Sequence, residues 1–350
     1  MEINELLQIT IEKKASDLHL IPGYYPTIRI NNELLHLRNF GILEAEPVEK
    51  MLISVLNNVQ HQFLIENKEI DIGWDYNGNR FRVNIYTNKR NISGALRLVP
   101  NKIQTIEELG LPPIFHTFSS FKQGLVLFTG PTGEGKSTSM ASIINEINEK
   151  YAKHIVTIED PIEFTYPLSK SIISQRELHQ DTLSWTSALK SVLREDPDVV
   201  FLGEMRDYDT IQLALTIAET GHLVFSTLHT GSAKEAIDRI VDTFPSDQQN
   251  QIRSSMSTSL LAVIAQRLLP DSSQLSRVPC FEILMNTPSV SSIIRDGKNY
   301  MLDNVLETSE EDGMILFEKY LVQLYRAGRI TKEVAKNYAI RKKLIDKLII

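Results

Sequence analysis

The spacing of apolar residues changes twice along this chain. At the amino end Ile3, Leu6, Leu7 and Ile11 recur at helical intervals, the mark of a helix with one buried face. Asp17–Ile21, Thr27–Ile30 and Glu33–Leu37 then alternate like antiparallel strands, with Pro22-Gly23 and Asn31-Asn32 at the turns. A helical patch is expected near Val48–Leu64. Two more strands, Phe81–Tyr86 and Ala95–Leu98, bracket a polar turn. Pro100-Asn101-Lys102 and Leu111-Pro112-Pro113 break the pattern. These breaks make 1–97 a small α+β domain and 98–104 a linker.

From 105 to 275 the rhythm becomes that of apolar strands alternating with helices. Strands are expected at 124–129, 154–159, 198–203 and 222–228. Their nearly continuous Val, Ile, Leu and Phe content suits a parallel sheet covered on both faces. Helices are expected at Thr182–Leu193 and Asp209–Glu219. This is the α/β class, with ligand chemistry at the carboxyl ends of the strands. Residues 276–350 are expected to form a mostly helical region. It ends in the basic Arg341, Lys342, Lys343 and Lys347. A solvated basic face over inward-packed Leu344, Ile345, Leu348 and Ile349 is favoured there over a docking tail.

Composition narrows the classes. The 350 residues are 42% hydrophobic and 23% charged, ordinary for a soluble globular protein. A net charge of −7 and the lack of a basic aromatic pattern disfavour nucleic acid as a partner. The single cysteine, Cys280, excludes an internal disulfide and a Cys₄ zinc site, and suits a reducing cytosol. The start of the chain lacks a basic n-region and apolar core, so no signal peptide is expected. The run Leu260–Ala265 is too short to span a bilayer, so no direct membrane insertion is expected.

The chemistry centres on Gly130-Pro131-Thr132-Gly133-Glu134-Gly135-Lys136-Ser137, followed by Thr138. It fits the phosphate-loop pattern at every required position. The glycines let consecutive N–H groups turn toward phosphate oxygens. Lys136 supplies a charge to the outer phosphates, and the Ser137 hydroxyl can ligate Mg²⁺. An apolar strand precedes the loop, and Met140, Ile143, Ile144 and Ile147 mark a helix behind it, whose N-terminus favours an anion.

Hydrolysis of a nucleotide needs more than this cradle. Val199–Glu204 is an apolar strand ending in a carboxylate, with Gly203 where a metal-holding Asp often sits. Glu159, Asp160 and Glu163 gather at another strand end, stiffened by Pro161. Such like charges repel unless a cation is near. His222 and His229 bracket a third strand. A histidine so placed is more often a satisfied core residue than a ligand, and zinc is not expected because no third ligand lies at metal spacing.

Taken together, these segments resemble the secretion ATPase superfamily, and within it the PilT-like retraction ATPases of type IV pili. Supporting stretches are Ser16–Leu20, Phe81–Asn84, Gln175–Glu177, Leu193–Asp198 and Ala218–His222. The resemblance implies a PAS-like N-terminal domain, a RecA-like ATPase domain at 105–275 and a helical C-terminal region. It also implies a cytoplasmic homohexameric ring at the inner membrane, bound to a pilus platform protein, which hydrolyses ATP with Mg²⁺ to retract pili. ATP would lie at the junction of the two domains and be completed by a neighbour. Carried over, Lys136 and Ser137 bind phosphate and Mg²⁺, Glu204 helps hold Mg²⁺, and Glu163 is the general base with Glu159 beside it. His222 and His229 act in a histidine box. Arg82 and Arg97 contact phosphate as fingers, and Arg194 serves near the γ-phosphate. The need for such arginines is physical, because an oriented guanidinium neutralises charge growing in the transition state.

Three departures stand out. Lys190 replaces a usual arginine one turn before Arg194, Glu134 replaces a usual small residue with its side chain expected in solvent, and Ser289–Gly297 only loosely matches a retraction-associated pattern. Rival readings are a pilus assembly or type II secretion ATPase, and a weakly hydrolysing accessory paralogue acting as an interaction module. The first usually carries a tetracysteine insertion that is missing here. Intact Lys136, Glu163, Glu204, Arg82 and Arg97 count against the second.

Overall fold

The computed structural model describes residues 2–30, 33–99 and 102–349, arranged as two units. The turn expected at Asn31-Asn32 and the Pro100-Asn101 part of the linker lie outside the described residues.

The first unit runs to Ile103 and also takes in Glu159–Pro167 and Glu177–Thr182. Its elements are α1 (Ile3–Glu12), β1 (Asp17–Leu20), β2 (Thr27–Ile30), β3 (Glu33–His36), α2 (Ala45–Ile53), α3 (Asn58–Asn67), β4 (Glu69–Tyr76), β5 (Asn79–Asn88) and β6 (Asn91–Leu98). The strands form one antiparallel sheet in the order β3-β2-β1-β6-β5-β4. Leu6 and Leu7 of α1, Val48 and Leu52 of α2, and Leu64 of α3 are buried with Leu18, Ile28, Val83 and Leu96 from the sheet. Gly94 on β6 belongs to this packing, because a Cβ there would run into Leu52. The single helical patch expected at Val48–Leu64 is two helices. Asn57 restarts the second one by accepting the Gln60 N–H in a capping box. Strand β4 was not expected. Ile70, Ile72, Trp74 and Tyr76 alternate as a strand should, but carboxylates and a glycine, which are depleted in strands, fill the positions between them.

The second unit comprises Gln104–Ile158, Leu168–Arg176 and the chain from Leu183 onward. It contains α4 (Phe115–Ser120), β7 (Gly124–Thr129), α5 (Lys136–Lys150), β8 (His154–Glu159), β9 (Ile172–Glu177), α6 (Trp185–Val192), β10 (Val199–Leu202), α7 (Tyr208–Glu219), β11 (Leu223–Leu228), α8 (Ala233–Asp242), α9 (Gln249–Ser259), β12 (Leu260–Pro270) and β13 (Arg277–Met285). Five α-helices follow among the described residues: α10 (Pro288–Arg295), α11 (Leu302–Thr308), α12 (Phe317–Arg326), α13 (Lys332–Tyr338) and α14 (Lys342–Leu348). The sheet order is β13-β12-β7-β11-β10-β8-β9. Strands β8, β10, β11, β7 and β12 are parallel to one another, and β13 returns antiparallel along β12. Every residue of β7, β10 and β11 is buried, as a sheet covered on both faces requires.

The region 276–350 is mostly helical as expected, with β13 at its start over Arg277–Met285, so position 275 falls between the strands of a hairpin. One expectation is corrected here. Arg341 is not part of a solvated face. Its guanidinium reaches Glu282 and Glu318, both fully buried, and Asp303. Ile345 and Ile349 pack inward as expected.

Candidate active site

In the second unit the phosphate loop joins β7 to α5. Gly130 has φ +144°, and a Cβ there would strike the Gln266 carbonyl on β12. Glycine is therefore demanded by both conformation and close approach. The Lys136 ammonium donates to the Gly130 carbonyl at 2.6 Å and the Pro131 carbonyl at 2.9 Å. The loop's own backbone thus orients its cation. Ser137 and Thr138 follow in the first turn of α5, where free N–H groups and the helix dipole favour an anion.

Glu134 does not point to solvent as expected. Its carboxylate accepts the Leu268 N–H, and its carbonyl accepts the Gln266 side-chain amide at 2.8 Å. Strand β12 pairs with β7 as far as Ala265–Thr129. Glu134 therefore supplies the acceptor for a β12 amide just beyond the end of that ladder. Arg277 Nη1 donates to the Gly133 carbonyl at 3.3 Å. Together these bonds fix the loop's apex to the β12–β13 hairpin.

The ends of β10 and β11 supply the rest of this cluster in the second unit. Glu204, two residues past β10, is paired with Arg206, and His229 Nε2 lies 3.3 Å from its other oxygen. Thr129 and Thr230 bond to each other through backbone and side chain. This ties the entrance of the phosphate loop to the residue after His229. His222 is not brought to this end. It precedes β11, its carbonyl accepts the Gly124 N–H at the start of β7, and its Nδ1 lies 3.0 Å from the Ile217 carbonyl. The six residues of β7 separate that position from Gly130, about 20 Å of strand. Arg194 and Lys190 are exposed at and near the end of α6.

The carboxylates at 159–163 and the arginines at 82 and 97 fall together in the first unit. In the register of its sheet Arg29, Asp17, Arg97, Arg82 and Gly73 stand opposite one another on successive strands. They share one face, and Asp71 joins them two residues from Gly73. Like charges directly opposite are unfavourable, and here each arginine of the central pair has a carboxylate on its outer flank. Arg97 Nε donates to Asp17 at 3.0 Å. Arg82 donates to Asp71 through Nε at 2.8 Å and Nη2 at 2.6 Å. Burial pushes the Asp17 carboxyl up, but bonds from Ser16 and Arg97 outweigh it and leave it low. The Arg82 guanidinium is held protonated chiefly by the Asp71 bond, with Glu163 and Asp160 adding to it. Arg82 is thus the cation that the carboxylate cluster requires, its Nη1 lying 3.8 Å from Glu163.

Glu159 is buried, and its carboxylate accepts the Glu163 N–H at 3.3 Å. Loss of solvent, with the charges of Glu159 and Glu163, pushes the Tyr166 phenol well above its ordinary value. Two residues of this cluster were not among the expected site residues: Asp71, and Glu177, which entered only within the supporting stretch Gln175–Glu177. Glu177 is 2% exposed and accepts the Gly73 N–H at 2.7 Å and the Ile162 N–H at 3.2 Å, with Arg80 and Gln180 also bonded to it. It pins the carboxylate segment to β4. A Cβ on Gly73 would collide with Arg80 and Glu177. The separations, 104 residues for Gly73 and 97 for Arg80, left no local signal.

The chain matches the family described as "Type II/IV secretion system protein" over residues 2–344. It belongs to that family. It is 46% identical over 315 residues to the "Twitching motility protein" of Neisseria gonorrhoeae, covering 90% of this chain and 84% of that one. It is 42% identical over 340 residues to the "Type IV pilus retractation ATPase PilT" of Pseudomonas aeruginosa, covering 97% and 98%. Among solved structures it resembles the pilus retraction motor PilT with bound ADP, with a TM-score of 0.92 at 40% identity and 99% of each chain covered. The fold is that of the family's secretion ATPases, an N-terminal α+β domain followed by a RecA-like ATPase domain with a helical C-terminal region. Among the described residues no helix is long and apolar enough to cross a membrane.

Proposed function

We propose that this protein is an ATPase that powers the retraction of type IV pili, working as a homohexamer on a platform protein at the cytoplasmic side of the inner membrane. The observation that carries the reading is the preformed phosphate loop, with Lys136 already oriented by the Gly130 and Pro131 carbonyls. Identity of 42% over 340 residues with a pilus retraction ATPase supports the direction of the work.

In this reading the loop's N–H groups and Lys136 hold the phosphates of ATP. Glu163 takes the proton of the attacking water, with its backbone anchored by Glu159. Arg82 and Arg97 offset the negative charge that develops on the transferred group. The hydroxyl of Ser137 and the carboxylate of Glu204 form a hard oxygen donor set that fits Mg²⁺, an ion that keeps most of its waters and takes few protein ligands. When bound, Mg²⁺ would neutralise phosphate charge. His229 Nε2, 3.3 Å from Glu204, restrains that carboxylate.

Glu163→Gln tests the reading. The variant should bind ATP at parental affinity and nearly lose turnover, because the proton acceptor goes while the cradle stays. As the only copy in the source organism, it should leave pili extended and accumulating. Parental turnover would remove Glu163 from its role, and loss of pili would replace retraction with assembly.

A further inference from the structure

Asp71 has no task in the hydrolytic reading, yet it holds the Arg82 guanidinium on which that reading depends. Both Arg82 hydrogen bonds land on its Oδ2, while Oδ1 is buried with no partner among the described residues. A buried carboxylate oxygen without a partner is uncommon. The remaining terminal nitrogen of Arg82 is 3.8 Å from Glu163, close enough for charge attraction and too far for a hydrogen bond. One guanidinium is therefore shared unequally, tightly by Asp71 and loosely by Glu163.

A guanidinium fork that closed on Glu163 would occupy both its oxygens and stabilise its charged form. Both effects oppose proton abstraction, which needs a free lone pair and a base of matched strength. We propose that Asp71 is a positioning residue for hydrolysis, holding Arg82 off Glu163 so that the Glu163 carboxylate stays open to water. The proposal rests on the reading of Glu163 as the general base. The charged and titratable groups that the described residues bring toward Glu163 include Arg82 from β5, with Asp71 from β4 behind it, and Glu159, Asp160 and Tyr166 on its own segment. Among these Arg82 is the only cation, and Asp71 is the group that grips it.

The test uses the full-length protein and the pH dependence of kcat. Asp71→Asn keeps the shape and one acceptor oxygen but removes the charge that competes for Arg82. Arg82 should then close on Glu163, moving the acid limb of kcat down by about one pH unit. The rate near neutrality should fall severalfold, with little change in KM for ATP. Arg82→Ala should move the same limb upward, because the base loses its cation. Asp71→Glu, which restores the charge, should return the limb toward the parental position and also guards against a folding defect in Asp71→Asn.

If Asp71 were only structural and its loss merely misplaced Arg82, Asp71→Asn would copy Arg82→Ala and shift upward. That result overturns the proposal, as does an unmoved limb. Glu163→Gln separates the two readings. If it hydrolyses ATP at the parental rate, the general-base assignment falls. If it is inactive and Asp71→Asn leaves the limb in place, only the assignment of Asp71 falls.

Discussion

Glu134 puts two effects of opposite sign on one side chain, and two substitutions separate them. Its charge opposes phosphate binding in the loop. At about 6 Å in water-like surroundings, that repulsion is worth about 0.7 kcal/mol. Its hydrogen bond to the Leu268 N–H holds the loop in shape. A bond to a charged acceptor contributes about 1.5–3 kcal/mol, which partial exposure of Glu134 reduces to about 1–2 kcal/mol. The clamp should therefore win. Glu134→Ala removes both effects and should weaken ADP binding by about 1 kcal/mol, roughly fivefold in Kd. Glu134→Gln keeps an acceptor oxygen without the charge, and should bind ADP as tightly as the parent or slightly tighter. Calorimetric titration with ADP gives the affinities, and amide hydrogen exchange at Leu268 reports the clamp directly. Exchange there should quicken in Glu134→Ala alone. Parental ADP affinity in Glu134→Ala, with Leu268 still protected, would refute the clamp.

Two further outcomes concern stability. Arg341→Ala leaves Glu282 and Glu318 buried without their cation and should cost about 3–5 kcal/mol, read as a lowered urea midpoint. Arg341→Lys should recover only part of it, because one ammonium cannot bridge three carboxylates in fork geometry. Asp17 has a folded-state value below its unfolded one. Its contribution is complete above the unfolded value near 4 and fades as pH falls through the folded value. Asp17→Asn should flatten the loss of stability with acid in that window, and an equally steep acid limb in the variant would remove Asp17 as a source.

The parts of this molecule written in short stretches were readable. Gly130–Ser137 encodes its own geometry, because close backbone approach and helix polarity are local demands. Strands 124–129 and 154–159 announce themselves by unbroken apolar content. Asp71 was hidden for a physical reason. It sits in β4, where Glu69, Asp71, Gly73 and Asp75, residue types depleted in strands, fill every second position, and its partner is set by strand register across a turn. Glu134 was misjudged because a carboxylate in a loop defaults to solvent. Only the pairing of β12 shows a backbone amide waiting for it. The sequence already showed that His222 and His229 bracket a strand, and β11 puts them at its opposite ends, with His229 beside Glu204. Arg341 read as one of four basic residues, and its separation from the others depends on Glu282 and Glu318, which are distant in the chain.

The first unit is not a cassette. Its chain leaves at Ile103 and comes back twice, at Glu159–Pro167 and at Glu177–Thr182. A fragment that stops in the linker would carry Arg80 and Gly73 without Glu177, and Arg82 without Glu163. Exchange of amino-terminal halves between relatives therefore has to respect pairings about one hundred residues apart. Recombination at the linker would produce a sheet whose charged row faces the wrong segment. Crossovers that preserve function are expected to move Asp71, Arg80 and Arg82 together with 159–182, as an inherited block.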